Sequence, residues 1–158
     1  MKKKILLLCS LLAFILLLFI PIPALMLTTQ SEVIRIEPFL KNQPFSIRWT
    51  HSVEKEDWEE FFIIKDDTIL IESTRFKTFG AGVPNDAGEN TFIKDGWVYM
   101  TDINQPIGET LRFQTGKTTN HRFQIKGSYL TLEPQVSYEV KVQKVPLYQL
   151  MVRLVKVK

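Results

Sequence analysis

Near its start the chain has a long apolar segment that carries no charged side chain. Lys2, Lys3 and Lys4 come first, and apolar residues then run from Ile5 to Leu27 with only Cys9, Ser10 and two prolines as interruptions. A short basic region followed by an apolar run is typical of an export signal or of a membrane-spanning helix. We therefore expect residues 1–27 to form a hydrophobic helix that acts as a membrane anchor or as a signal segment.

Whether this segment remains in the mature protein depends on whether a signal peptidase cleaves it. Its nearest candidate cleavage site is Ile22-Pro23-Ala24, which lacks the small-x-small pattern of signal peptides. An uncleaved anchor is therefore the favoured interpretation, and secretion after signal cleavage is the alternative. Under the positive-inside rule the lysines stay in the cytoplasm, so a single-pass protein of the cell membrane with an extracytoplasmic C-terminal domain is expected.

After the apolar segment the pattern changes to short runs in which apolar and polar residues alternate. Phe45, Ile47, Trp49 and His51 alternate with polar residues, which is typical of a strand with one buried face. Further short strands are predicted at 61–64, 68–76, 97–100, 111–113, 122–125, 129–132 and 136–142. Many short strands predict an all-β domain, either an antiparallel sandwich or a small barrel, preceded by one N-terminal hydrophobic helix.

Turn residues separate these predicted strands. Asp66-Asp67 predicts a hairpin, and Asp95-Gly96 precedes the strand that begins at Trp97. A glycine- and proline-containing loop is predicted from residue 79 to residue 88, and a turn is predicted at 104–108.

The predicted organisation has four parts. Residues 28–43 are a linker that merges into a first strand, and residues 44–145 are the β domain. Residues 146–158 are a basic amphipathic tail whose conformation the pattern leaves open, although helical spacing fits better than a strand. This tail either lies on an anionic membrane face or packs on the core, and we favour packing on the core.

Charge and composition exclude several function classes. The formal net charge is +3, but three of the 20 basic residues are Lys2–Lys4, so the other 17 balance the 17 acidic residues. A neutral folded part argues against nucleic-acid binding. The single cysteine, Cys9, excludes an intrachain disulfide. With two histidines and no spaced carboxylate loop, we expect no metal site and no cofactor.

No established catalytic motif is present. Gly80-Ala81-Gly82 lacks the third glycine of a dinucleotide-binding loop, and Gly116-Lys117-Thr118 lacks the first glycine of a phosphate-binding loop. His51-Ser52 does not form a nucleophile–base pair, because adjacent strand residues point to opposite faces. We therefore expect that the protein is not an enzyme.

The strongest candidate site is a polar cluster around His51. A histidine on an apolar strand face needs a hydrogen-bond partner, because burying an unpaired polar group is costly. Glu54, Glu60 and Glu72 are the acidic candidates, and Arg75 lies near the end of the same predicted strand as Glu72. The cluster either fixes strand register or binds a ligand, and we favour the structural role.

Two glycines follow this cluster. Gly80 and Gly82 either permit a tight connection with positive φ or present backbone amides to a ligand groove. The second alternative completes a candidate ligand-binding set, which is His51, Glu54, Glu60, Glu72, Arg75, Gly80 and Gly82.

Three stretches resemble a known bacterial family. They are 50–55 (THSVEK), 58–61 (WEEF) and, most specifically, 72–84 (ESTRFKTFGAGVP). Over residues 44–145 the chain resembles the domain-of-unknown-function family eighteen-fifty. The matched positions are His51, Ser52, Glu54, Lys55, Glu60, Glu72, Arg75, Phe76, Gly80, Gly82 and Pro84. The resemblance implies a small protein with an N-terminal hydrophobic segment, often encoded beside tripartite (TRAP-type) transporters of the TAXI class, and it implies no reaction.

We therefore expect a membrane-anchored extracytoplasmic accessory or interaction module, associated with a tripartite (TRAP/TAXI-type) solute transporter. Its expected partners are the membrane, through the N-terminal helix, and transporter subunits or a solute-binding protein. The alternative is an extracytoplasmic small-ligand-binding domain with a His/Glu/Arg pocket. A hydrolase ranks last, because the sequence offers no convergent nucleophile and base.

Overall fold

The computed structural model describes residues 2–80, 82 and 87–156. The elements of this part of the chain are α1 (Lys2–Leu18), β1 (Pro21–Thr28), β2 (Val33–Pro38), β3 (Gln43–Thr50), β4 (Asp57–Lys65), β5 (Thr68–Phe76), β6 (Asn90–Lys94), β7 (Trp97–Thr101), β8 (Gln105–Gly108), β9 (Thr110–Gln114), β10 (Arg122–Ile125), β11 (Ser128–Thr131), β12 (Ser137–Pro146) and α2 (Leu147–Lys156).

The strands form two open antiparallel sheets that share a hydrophobic core. The small sheet has the order β2-β1-β12-β9, and the large sheet has the order β11-β10-β3-β4-β5-β7-β6, with β8 paired to β5. Leu25 and Val140 of the small sheet belong to one core cluster with Phe45, Phe62 and Phe123 of the large sheet. The prediction of a mostly antiparallel β protein with an N-terminal helix is therefore confirmed.

Local turn chemistry fixes the central hairpin as predicted. Asp66 and Asp67 connect β4 to β5 with φ values of 48° and 61°. Two successive residues with positive φ are the geometry of a type I′ turn, which matches the twist of the flanking strands. Asp95 and Gly96, with φ values of 51° and 71°, make the same kind of connection between β6 and β7.

The prediction of one hydrophobic helix over residues 1–27 is wrong in its C-terminal part. α1 ends at Leu18, and Pro21 begins β1, which pairs with β12 on one side and β2 on the other. Leu25 faces the large sheet, whereas Ala24 packs on the side of α2, so β1 is buried on both faces. A strand buried on both faces has no polar alternation, and its sequence therefore resembles an apolar helix.

The remaining helix of this segment lies on the surface. α1 buries none of its side chains, and Leu6 and Leu7 are 73% and 72% exposed. The ring of Phe19, just after α1, lies 5.6 Å from the ring of Tyr148 in α2. Among the described residues, no helix combines the length and the apolar character needed to cross a bilayer.

The C-terminal tail is helical from Leu147 to Lys156 and packs on the small sheet. Leu150 is buried in a cluster with Ala24, Met26 and Val145, and Leu147 packs against the same cluster. The expectation that this element packs on the core is confirmed. Residues 157–158 of the predicted tail lie outside the described part of the chain.

Residues 28–43, predicted as a linker that merges into a first strand, contain the strand β2. Two other segments differ from the sequence-based predictions. Residues 105–108, predicted as part of a turn, form β8 against β5. β6 was not predicted, because all five of its residues are exposed and no buried face imposes alternation on its sequence.

We expect two leucines of the N-terminal apolar run to differ sharply in their effect on stability. Leu25→Ala should lower the free energy of unfolding by about 2–5 kcal/mol, because Leu25 is fully buried between the sheets. Leu12→Ala, in the exposed helix α1, should change it by no more than about 0.5 kcal/mol. Urea denaturation of both variants measures the difference, and equal effects would contradict the placement of β1 in the core.

Candidate functional site

His51 lies in a turn just beyond the end of β3, and its ring stacks on the ring of Trp58 at 5.7 Å, on the face that carries Trp49. β3 ends at Thr50, and the backbone N–H of His51 donates to the carbonyl oxygen of Glu56 at 2.7 Å. The backbone N–H of Glu54 donates to His51 Nδ1 at 3.2 Å. Because Nδ1 accepts this bond, the ring proton lies on Nε2. The backbone of the turn, rather than an acidic side chain, therefore satisfies His51 Nδ1.

Gly80 is in direct contact with this turn. A Cβ atom at Gly80 would overlap the carboxyl group of Glu54, so a residue with a side chain there would require the Glu54 side chain to move. The structure therefore brings together His51, Glu54 and Gly80, three of the seven residues of the candidate set. The cavity beside His51 and Glu54 measures about 10 Å³, which leaves room for no more than one water molecule.

Gly82 has φ of +81°, a conformation that residues with side chains rarely adopt. This value fits the alternative in which the loop glycines permit a tight connection. Pro84, the last residue of the stretch that resembles the family, lies outside the described residues.

Arg75 points away from His51, to the face of the large sheet that lies opposite the core, which we call the outer face. Its Nη2 and Nε donate to Glu59 Oε2 at 2.6 Å and 3.0 Å, and its Nη1 donates to the hydroxyl of Tyr99 at 3.0 Å. The guanidinium also lies 4.4 Å from the ring centre of Trp97. Burial lowers the pKa of Arg75, but the bonds and charges of Tyr99 and Glu59 raise it by more, so its net pKa is above the ordinary value.

Glu59 is the partner that the sequence analysis missed. Its side chain is only 3% exposed, and its second oxygen accepts a bond from Ser46 Oγ at 2.8 Å. A regular hairpin around Asp66-Asp67 would place Arg75 on the same face as Glu60. A register shift between Phe61 and Phe62 moves the pairing by one residue, so Arg75 pairs with Glu59. A one-residue slip sends every following side chain to the other face.

Glu72 is the extra residue of this β-bulge. Ser73 pairs with Phe61 and Ile71 pairs with Phe62, which leaves Glu72 without a position opposite it in β4. Its carbonyl oxygen accepts a bond from the backbone N–H of Ile103 at 3.0 Å. Glu72 therefore contributes to the backbone geometry that turns Arg75 outward, and it does not meet His51 or Arg75 in a common site.

Glu60 lies on the core face of β4, between Ile47 of β3 and Thr74 of β5. Burial raises its pKa to about 7, because a charged carboxylate is poorly solvated there. Among the described residues, no hydrogen bond or ion pair reaches its carboxyl group. Glu60 is therefore the most strongly perturbed acid of the predicted cluster, and it lies on the opposite face of the sheet from Arg75.

His51 ends a stack of rings that joins both sheets. The successive neighbours, at centroid distances of 5.4–6.2 Å, are Tyr138, Phe113, His121, Trp49, Trp58 and His51. His121 shares a hydrogen bond of 2.7 Å with Thr119 Oγ1, and burial lowers the pKa of His121. Both histidines of the chain therefore act as flat rings in a packed column. The described residues contain no group of three or more side chains that could hold a metal ion.

Removal of Arg75 should leave a buried charge without its partner. We expect Arg75→Met to lower the free energy of unfolding by about 3 kcal/mol, because Glu59 stays inside the protein without its cation. The control is Arg112→Met, whose ion pair with Glu139 joins an arginine that is 70% exposed and should contribute less than about 1 kcal/mol. Equal losses in the two variants would contradict the importance of the Arg75–Glu59 pair.

Glu60 should make the stability of the protein depend on pH. Its pKa is about 7 in the folded state against 4.5 for the free side chain, so the folded state binds the proton more tightly. Stability should therefore fall as pH rises from about 4.5 to about 7 and then level off. Glu60→Gln, which carries no charge, should gain about 2–3 kcal/mol over the natural protein near pH 8 and nothing near pH 4.

Denaturation at both pH values tests this difference, with the exposed Glu56→Gln as the matched control. A gain in Glu60→Gln that is the same at both pH values, or a similar pH-dependent gain in Glu56→Gln, would show that Glu60 is not the group that titrates.

Comparison with known proteins gives one family. The family described as "Domain of unknown function (DUF1850)" matches residues 45–132. Neither the curated proteins nor the solved structures gave a match to this chain. The matched range covers more than half of the chain and runs from Phe45 in β3 to Leu132, just after β11, so it includes the turn at His51, the bulge and Arg75. The chain therefore belongs to the DUF1850 family of domains of unknown function.

Proposed function

We propose that the chain is a membrane-attached, extracytoplasmic accessory module that works through protein–protein contacts beside a tripartite (TRAP/TAXI-type) solute transporter. The observation that carries this proposal is α1, which presents apolar side chains on its whole circumference and buries none of them. Water is an unfavourable surrounding for such a helix, and a lipid phase is a favourable one.

The position of charge along α1 supports attachment to a membrane. Lys2, Lys3 and Lys4 form its first turn, and no charged side chain follows before Pro21. At 1.5 Å per residue, its 17 residues are about 25 Å long, and the exposed Phe19 and Ile20 extend the apolar surface up to β1. A basic first turn followed by an uncharged apolar helix is the arrangement of an export signal. This arrangement supports an extracytoplasmic position for the β domain.

The β domain supports an interaction role better than a His/Glu/Arg ligand pocket. Arg75 is held by Glu59 and Tyr99, and His51 is held by its own turn. The cavity next to His51 is too small for an organic ligand. The proposed association with a transporter rests on the resemblance to a family whose members are often encoded beside such transporters.

The experiment is purification of the full chain, tagged after its last residue, from cells that also produce the neighbouring transporter. We expect the tagged protein in the membrane fraction and, in mild detergent, transporter subunits or the solute-binding protein in the same eluate. Leu7→Asp together with Leu11→Asp should move it to the soluble fraction, because both leucines face outward from α1.

Leu40→Asp is the matched control, because Leu40 is also apolar and 92% exposed but lies outside α1. This variant should stay in the membrane fraction. Recovery of the tagged chain alone would overturn the accessory role. If the natural protein is soluble and its mass shows that the N-terminal segment has been removed, secretion replaces membrane attachment in the proposal. Activity of a C-terminal reporter only in the cytosol would overturn the extracytoplasmic position.

A further inference from the structure

The outer face of the large sheet carries a row of arginines that the proposed function does not use. In the sheet register Arg122 of β10 pairs with Arg48 of β3, Arg48 with Glu59 of β4, and Glu59 with Arg75 of β5. Directly paired residues in antiparallel strands point to the same face, so the side chains of all four lie side by side. Three cations therefore share this row with one acid.

Two of these arginines have an acidic partner and the third has none. Arg75 is bound to Glu59, and Arg48 Nη2 is bound to Asp57 Oδ2. Arg122 makes no ion pair and no hydrogen bond through its side chain within the described part of the chain. Its direct cross-strand neighbour is another cation, Arg48, and like charges in that position repel. The pair Arg48–Arg122 thus carries one positive charge more than its surroundings neutralise.

The hydrogen-bonding capacity of the pair is also unfilled. Arg48 Nε and Arg122 Nε are both buried and have no acceptor among the described residues. The side-chain amide of Gln124, two residues after Arg122 on the same face, lies 3.3 Å from Ser46 Oγ, whose single proton goes to Glu59 at 2.8 Å. Donors without acceptors in a partly buried position are costly, so an acceptor group in this place is favoured.

We propose that Arg48 and Arg122 together bind an oxyanion, the carboxylate or phosphate group of a small ligand, on the outer face of the large sheet. Carboxylates and phosphates present two or more oxygens to the planar N–H fork of a guanidinium. One such group between the two side chains neutralises the excess charge and supplies acceptors. The ring of Trp97, 5.1 Å from the Arg48 guanidinium, forms an apolar wall next to Arg48.

The experiment titrates the full chain in mild detergent with sodium succinate and, separately, with sodium phosphate. Sodium chloride keeps the ionic strength constant, so general screening does not contribute. At about ten times the dissociation constant we expect the midpoint of thermal unfolding to rise by about 3 °C. A rise with succinate alone assigns the site to carboxylates, a rise with phosphate alone assigns it to phosphates, and no rise with either overturns the proposal.

Arg122→Gln should fold, because it removes a cation without an acidic partner, and it should lose the rise in midpoint. Arg122→Lys keeps the charge but not the planar N–H fork, and this variant should lose most of the rise in the unfolding midpoint. The matched control is Arg112→Gln, an exposed arginine of the small sheet, which should keep the full rise. An equal rise in Arg122→Gln and the natural protein would overturn the proposal.

A measurement on the natural protein decides the case in which the Arg122 variants do not fold. The Nε–Hε signals of arginine side chains are resolved in ¹H–¹⁵N spectra, and those of Arg48 and Arg122 should shift along a saturable curve with the active anion. The signal of Arg112 should stay in place. Unchanged signals of Arg48 and Arg122 would overturn the proposal without any substitution.

Discussion

The pairing of the first strand with the last strand is the constraint on which the rest of the structure depends. β1 and β12 run antiparallel from Pro21 opposite Pro146 to Thr28 opposite Glu139, so the two ends of the chain meet in the middle of the small sheet. Closing a loop of this length costs conformational entropy, which burial of Leu25 and Val140 in the shared core offsets. β1 begins and β12 ends at the same end of the small sheet. The helices α1 and α2, which precede β1 and follow β12, are therefore neighbours there.

This closure explains why the apolar N-terminal run divides between two surroundings. Its second part forms a strand that is covered by the large sheet on one face and by α2 on the other. Its first part forms α1, none of whose side chains is buried by the part of the chain that the structure describes. The family match begins at Phe45, after β1 and β2, and ends at Leu132, before β12. The matched segment thus corresponds to the large sheet and β9, whereas the strand pair that closes the chain lies outside it.

Local chemistry made part of this fold predictable from the sequence. The alternation of Phe45, Ile47 and Trp49 and the turn at Asp66-Asp67 are set by neighbours in the chain, and both are present. β1 could not be recognised, because apolar residues buried on both faces follow neither helical nor strand periodicity. β6 could not be recognised for the opposite reason, since its exposed residues bury no face.

The candidate site shows the same limit on a smaller scale. The structure brings together His51, Glu54 and Gly80 of the predicted cluster, because all three lie in loops at the same end of the neighbouring strands β3, β4 and β5. Sequence reasoning separated Arg75 from its partner, because the bulge at Glu72 is not visible in the pattern of residues and reverses the faces of everything that follows.

The change of face caused by the bulge decides which of the two glutamates Glu59 and Glu60 receives the Arg75 side chain. The two residues are successive glutamates of β4, yet one receives bonds from Arg75 and Ser46 and the other faces the core beside Ile47. If the hairpin were regular, Arg75 would lie on the face of Glu60, and its charge would be buried against the core. The bulge instead places Arg75 in the outer row, where it pairs with Glu59, so the excess positive charge of that row is the charge of Arg122. The one extra residue in β5 therefore gives Glu59 its cation and leaves the buried carboxyl of Glu60 on the other face without one.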